Sequence, residues 1–188
     1  MKAPIYAPAE DTFLLADVLR KEQIGNKAVL EIGCGSGFLT KLMAEKKAVV
    51  TAVDINPAAV EATKKLLSEE KLNGQVFLSD LFSNVAGKFD LIVFNPPYLP
   101  ENEEDKIVGS DRRYSGGSTG RAVIEKFIEQ SKKHLKSGGK LLLLVSSVTG
   151  EQDVISEFIR NGFIAHAIAS KKIDWEELMV LEASAHDI

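Results

Sequence analysis

Short aliphatic runs alternate along the chain with stretches whose apolar residues recur at helical spacing. The runs at 28–32, 49–53, 76–78, 91–94 and 141–145 are rich in Val, Ile and Leu and too short for helices, so they are predicted as buried strands. Between them, residues 11–22 place Phe13, Leu14, Val18 and Leu19 on one side of a helix that starts near Asp11 or Thr12. A second helix is predicted at 37–46. A third runs to about Lys71, opened by Asn56 as its N-cap with Pro57 in the first turn. A helix at about 120–135 is expected to stop at Ser137-Gly138-Gly139. A helix at 151–160 and two last strands, at 163–169 and 178–183, complete the pattern. Strands and helices in turn, with strands apolar on both faces, predict an α/β fold: a mostly parallel sheet covered by helices on both sides. In such sheets ligands bind beyond the C-terminal ends of the strands. The residues that follow Ile32, Val53, Leu78 and Phe94 are therefore the ones to read for chemistry.

The chain has 188 residues, the length of a single domain, and residues 1–188 are read as one. With 45% hydrophobic and 27% charged residues it has the composition of an ordinary globular protein. Its longest apolar run, at 141–145, is far short of the roughly 18–20 residues of a membrane helix, so no membrane is expected as a partner. The net charge of −4 weighs against a protein that grips a nucleic-acid backbone. The one cysteine, Cys34, excludes an internal disulfide, and with His134, His166 and His186 it makes no zinc ligand set, so no metal is expected. Met1-Lys2-Ala3-Pro4 has no apolar signal core, and a cytoplasmic setting is expected.

Beyond the first strand lies Glu31-Ile32-Gly33-Cys34-Gly35-Ser36-Gly37. Glycines let a ligand approach the backbone, and the following helix offers free N–H groups to an anion. The dinucleotide fingerprint G-x-G-x-x-G is not met, because its third glycine falls on Phe38. A plain tight connection is the other reading of this turn. Beyond the second strand, Asp54 can accept both hydroxyls of a ribose, or it can be a solvated loop residue beside the Asn56 cap. Beyond the third, Asp80 can accept from an exocyclic amine while Leu81 covers a purine face; a capping Asp is the alternative. Beyond the fourth comes Asn95-Pro96-Pro97-Tyr98. Two prolines stiffen the backbone and remove two N–H donors, leaving carbonyls as the polar groups. The Asn95 side-chain oxygen adds an acceptor and Tyr98 a flat face, a set suited to a planar group that carries an –NH₂. The alternative is a rigid turn.

At this point the chain resembles class I S-adenosylmethionine-dependent methyltransferases with the (Asn/Asp)-Pro-Pro-(Tyr/Phe/Trp) motif. Within them it resembles the HemK-like glutamine methyltransferases of the archaeal and eukaryotic type. Tyr6-Ala7-Pro8-Ala9-Glu10-Asp11-Thr12-Phe13-Leu14-Leu15, Asp54-Ile55-Asn56-Pro57, Asn95-Pro96-Pro97-Tyr98 and Gly116-Gly117-Ser118-Thr119-Gly120-Arg121 carry the resemblance. It implies a Rossmann-like fold with seven strands, the last antiparallel. It implies S-adenosylmethionine as cofactor: Glu31, Gly33 and Gly35 at its methionine end, Asp54 on the ribose, and Asp80 and Leu81 on the adenine. Thr12 would reach it from a helical extension, residues 1–25. Asn95 borders cofactor and substrate, and Asn95, Pro96, Pro97 and Tyr98 hold the substrate amide, with Asn95, Pro96 and Tyr98 as the catalytic set. The implied substrate is a class 1 peptide-chain release factor, methylated on the glutamine of its Gly-Gly-Gln loop. The implied partner is a small zinc-binding activator subunit in a heterodimer. Adenine N6 of DNA or RNA, and protein lysine, are the alternative acceptors; a catalytically idle partner subunit is the non-enzymatic alternative.

Other residues read more plainly. Cys34 is expected as a small packed residue, His134 as a charge near a helix end, and Trp175 as packing. Arg112 and Arg113 are open to substrate or solvent. The acidic stretch Glu101–Asp105 would repel a phosphate backbone near the site's mouth. The strand at 76–78 is expected at a sheet edge, able to take a partner strand.

Overall fold

The computed structural model describes residues 5–97, 121–174 and 176–185. Its elements run α1 (Glu10–Lys21), β1 (Ala28–Ile32), α2 (Phe38–Glu45), β2 (Val49–Asp54), α3 (Pro57–Glu69), β3 (Gln75–Leu78), β4 (Phe89–Phe94), α4 (Ala122–Ser131), β5 (Leu135–Ser146), α5 (Glu151–Arg160), β6 (Phe163–Ile173) and β7 (Glu176–Ala185). The strands form one seven-stranded sheet in the order β3-β2-β1-β4-β5-β7-β6. β1 to β5 pair in parallel, and β7 is antiparallel to both its neighbours, as expected from the resemblance.

Alternation along the strands splits the core in two. Val29, Leu91, Val93, Leu142 and Leu144 meet α1, α2 and α3 through Leu15, Leu19, Met43 and Val60. Leu30, Ile92, Leu141 and Leu143 meet α4 and α5 through Ile124, Phe127 and Phe158 on the other face. Each such side chain contributes about 1.5–3 kcal/mol by leaving water. The central strands are apolar on both faces because both faces are covered.

Two expectations are corrected here. The fourth helix ends at Ser131, followed by a 3-10 turn at Lys132–His134, and β5 starts at Leu135, six positions before the aliphatic run. Leu135 pairs with Phe89 and Lys140 with Leu91, so the chain between them makes an excursion from the ladder. Gly138, at φ +70°, serves this excursion and not the end of the helix. β6 and β7 are longer than expected because their hairpin continues past β5: Ser146 is the last β5 residue paired to β7, opposite Leu178, while Glu177 and Glu176 pair only with Lys172 and Ile173.

Gly37 precedes α2 at φ +83°, and a Cβ there would lie 2.9 Å from Thr63 Oγ1 and 3.1 Å from Leu66 Cδ2. Its lack of a side chain lets α2 and α3 approach. Gly37→Ala is expected to destabilise the fold by about 1–3 kcal/mol through backbone strain and overpacking, read as a lowered urea midpoint; an unchanged midpoint would refute this role.

α1 lies across the first core face, tied to the sheet by Glu10–Lys171 and by Lys140, whose Nζ is 2.8 Å from Glu22 and 2.7 Å from Glu182. Among the described residues no helix is long and apolar enough to cross a membrane.

Candidate active site

Register gathers the predicted residues at one end of the sheet. Ile32 pairs with Val53 on one side and Phe94 on the other, so Gly33 after β1, Asn95 after β4 and Asp54, the last residue of β2, lie at the ends of three adjacent strands. Asp54 pairs with Leu78, which brings Asp80 and Leu81 to the same end. The first turn of α1 reaches it too, because the Asn95 amide nitrogen lies 3.2 Å from Asp11 Oδ2 and 3.3 Å from Thr12 Oγ1.

Most N–H groups of the glycine turn itself are already engaged. Gly33 and Cys34 donate to the Val53 carbonyl at 2.7 and 3.0 Å, and Gly37 donates to the Cys34 carbonyl at 2.8 Å. Gly35 donates to Asp54 Oδ2 at 2.9 Å. A buried carboxylate thus stands where a diphosphate would need positive potential. Gly33 (φ +71°) and Gly35 (φ +52°) need glycine for their backbone, and a Cβ on Gly35 would sit 3.7 Å from the Tyr6 carbonyl oxygen. The N-terminal segment therefore lies against the turn.

Asp54 is 8% exposed. It also accepts from the Asn56 N–H at 2.8 Å. Burial raises its pKa above the usual carboxylate range, against the pull of these N–H groups. Glu31 is 3% exposed and accepts from the Thr40 hydroxyl. Burial pushes its carboxyl up to about 8, Thr40 acting against this and Asp54 adding to it. Asp80 is exposed, and its carboxylate makes no hydrogen bond among the described residues. Leu81 is buried and holds φ +46°, a strained conformation for leucine. Ser79 Oγ fastens this turn, donating to the Leu81 carbonyl at 2.8 Å and accepting from Asn84 N–H at 3.1 Å.

Beyond β4, Pro96 is buried and Asn95 and Pro97 are half-buried. Asn95 spends its amide protons on Asp11 and Thr12, and its Oδ1 is buried with no hydrogen-bond partner among the described residues. Leaving such an acceptor unpaired costs about 1–3 kcal/mol, so it marks a place built for a donor. Asp11, 3% exposed, accepts in addition from the Tyr6 hydroxyl at 2.9 Å. From sequence alone Asp11 reads as a helix start and Tyr6 carries no role. Their place in the opening stretch shared with the resembling family was the available signal.

Tyr98, Arg112, Arg113, Glu101–Asp105, the Gly116–Gly120 stretch, Trp175 and His186 lie outside the described residues. Cys34 is buried and accepts weakly from Thr63 Oγ1 at 3.4 Å, and burial pushes its thiol pKa up, away from the reactive thiolate. His134 is not the expected helix-end cation. Its ring stacks on Phe82 with centroids 4.8 Å apart, and burial lowers its pKa. Among the described residues no group of three or more His, Cys, Asp and Glu side chains is placed to hold a metal ion.

Residues 10–111 match the methyltransferase small domain family. A Methanocaldococcus jannaschii protein with the provisional name protein N5-glutamine methyltransferase is 43% identical over 181 residues, 95% of this chain and 91% of that protein. The mouse methyltransferase HEMK2 is 31% identical over 191 residues, covering 96% of this chain and 89% of its own. Among solved structures, the E. cuniculi Mtq2-Trm112 complex, responsible for methylation of the eRF1 translation termination factor, superposes with a TM-score of 0.78 at 27% identity, over 96% of this chain and 98% of that one.

Proposed function

The chain belongs to the methyltransferase small domain family, and on that premise we propose that it methylates the side-chain nitrogen of the glutamine in the Gly-Gly-Gln loop of a class 1 peptide-chain release factor, with S-adenosylmethionine as cofactor. The observation that carries this reading is the buried Asn95 Oδ1, unpartnered among the described residues, beside Pro96 and Pro97, which have no N–H of their own.

The residues fit the cofactor. A glycine turn most of whose N–H groups are spent and whose neighbour is a buried carboxylate suits a nucleoside without phosphate. Asp54 keeps lone pairs on both oxygens for the ribose hydroxyls. Glu31 and Gly33 take the methionine end, Gly35 allows close approach, and Thr12 closes the site from α1. Asp80 and Leu81 take the adenine. The bound cofactor supplies an electrophilic methyl group on a sulfonium centre.

The amide nitrogen of glutamine is a weak nucleophile, because its lone pair is shared with the carbonyl. The protein's task is therefore orientation, which in favourable cases recovers roughly 7–11 kcal/mol of barrier. Asn95 Oδ1 and the Pro96 carbonyl accept the two amide protons and fix the direction of the nitrogen lone pair. They also stabilise positive charge as it develops on that nitrogen, which favours the transition state over the ground state. Tyr98 supplies the flat face against the amide plane. Holding the group needs acceptors alone, so no general base is needed before methyl transfer; the methylated, positively charged nitrogen then releases one proton to solvent water.

A small zinc-binding activator is proposed as partner on the β3 edge. β3 pairs only with β2 among the described strands, its Leu78 is 47% exposed, and Val49 at the start of β2 is 63% exposed. Such an edge accepts a further strand. A substrate of translation termination supports a cytoplasmic setting for the enzyme. The net charge of −4 favours a protein acceptor over nucleic acid.

The test offers labelled S-adenosylmethionine with release factor, with its Gln→Ala loop variant, and with duplex and single-stranded DNA, each with and without the activator. Label on the release factor and none on the loop variant is expected. Label on DNA alone would replace the glutamine reading by an adenine one.

A further inference from the structure

We propose that Asp11 is a positioning residue for methyl transfer: it holds the Asn95 amide in the orientation that leaves Oδ1 open to an acceptor's N–H. The inference rests on the role of Asn95 given above. A side-chain amide has two ends of nearly equal size, and only its neighbours decide which way it points. At Asn95 both neighbours accept. Asp11 Oδ2 receives Asn95 Nδ2 at 3.2 Å. Thr12 Oγ1 receives it at 3.3 Å, and the Thr12 hydroxyl proton is directed to Asp11 Oδ1 at 3.1 Å, so this hydroxyl too presents a lone pair to Asn95. A flipped amide would set Asn95 Oδ1 against Asp11 Oδ2.

Asp11 is itself held. Its Oδ1 accepts from the Thr12 N–H at 2.5 Å as well as from the hydroxyl, and its Oδ2 accepts from the Tyr6 hydroxyl at 2.9 Å. The residue is 3% exposed. It is carried by the first turn of α1, which Glu10–Lys171 and Glu22–Lys140 tie to the sheet. Placing α1 on the sheet therefore also sets the direction of a side chain 84 residues away in sequence.

The test has one arm that needs no acceptor. In the ¹⁵N-labelled protein, the Asn95 side-chain NH₂ signals are identified by their loss in Asn95→Ala. Slow solvent exchange is expected in the wild type, faster exchange by about tenfold or more in Asp11→Ala, and partial protection in Asp11→Asn, which keeps one acceptor oxygen. Unchanged Asn95 signals in Asp11→Ala would overturn the proposal. The second arm is a double-mutant cycle on turnover. Asp11→Ala is expected to lower kcat by about tenfold or more with KM for S-adenosylmethionine within roughly threefold. Asp11→Ala with Asn95→Ala should be no slower than Asn95→Ala alone, whereas multiplied losses would overturn the proposal. Tyr6→Phe, which removes one donor from Asp11, gives a milder version of both arms should Asp11→Ala fold poorly. A wild type that labels no release factor would sink the glutamine reading and leave the exchange arm to decide this one.

Discussion

Asn95→Ala is expected to lower turnover by about 10²–10³-fold, the range seen when one preorganised hydrogen-bond group is removed from a reacting centre, while cofactor affinity changes by no more than a few-fold. The site's geometry separates the two effects. Asn95 Oδ1 has no hydrogen-bond partner among the described residues, so Asn95→Ala costs the fold the amide's hydrogen bonds to Asp11 and Thr12 and none made by the oxygen. The cofactor groups of the proposal lie mostly on the other strand ends, at Glu31, Gly33, Asp54 and Asp80. Asn95→Asp separates the contributions further. It keeps an acceptor oxygen but removes the amide protons that meet Asp11 Oδ2 at 3.2 Å and Thr12 Oγ1 at 3.3 Å. Two carboxylates would then face each other, so this variant is expected to be nearly as slow as Asn95→Ala. Steady-state kinetics beside calorimetric titration with S-adenosylhomocysteine checks both variants. Near-normal turnover in Asn95→Ala would end the orientation mechanism.

The largest pH effect is expected at Glu31. Burial raises its carboxyl from 4.5 to about 8 in the folded chain. Between those values the folded chain keeps a proton that the unfolded chain releases. Stability therefore falls as pH rises through this window, at up to about 1.4 kcal/mol per pH unit, and the loss is complete above the folded value. Glu31→Gln keeps an acceptor for the Thr40 hydroxyl and cannot titrate, so it should flatten this part of the profile. Urea unfolding of both proteins from pH 5 to about 9 checks this, since the difference between the profiles cancels the other carboxylates. Parallel profiles would show that Glu31 titrates normally. Cofactor binding should move the opposite way. An ammonium group beside Glu31 favours its ionised form, so affinity should rise toward the folded value by at most about tenfold per pH unit, and Glu31→Gln should lack this rise.

The strand ends were legible because strand length, apolar runs and loop residues are local features. Ile32, Val53, Leu78 and Phe94 were placed correctly, and with them Gly33, Asp54, Asp80 and Asn95 came to one edge. The start of β5 was not legible, because the irregular stretch between Leu135 and Lys140 is held by pairing with β4 and carries no aliphatic run of its own. The bonding of the glycine turn was hidden for the same reason: the N–H groups of Gly33, Cys34 and Gly35 are taken by Val53 and Asp54, on a strand distant in sequence. His134 looked like a helix-end charge until Phe82 stacked on it. Asp11 carried no local sign of its hydrogen bond to Asn95, since a carboxylate in a first helical turn is ordinary; only the folded sheet brings the two together.

The measurement that bears most directly on the proposed acceptor is mass-spectrometric mapping of release factor after incubation with this enzyme, the proposed activator and S-adenosylmethionine. A single added methyl on the side-chain nitrogen of the Gly-Gly-Gln glutamine, absent with Asn95→Ala, is the expected result. A methyl on a lysine, or a release factor left unmodified while adenine in nucleic acid is methylated, would contradict the account.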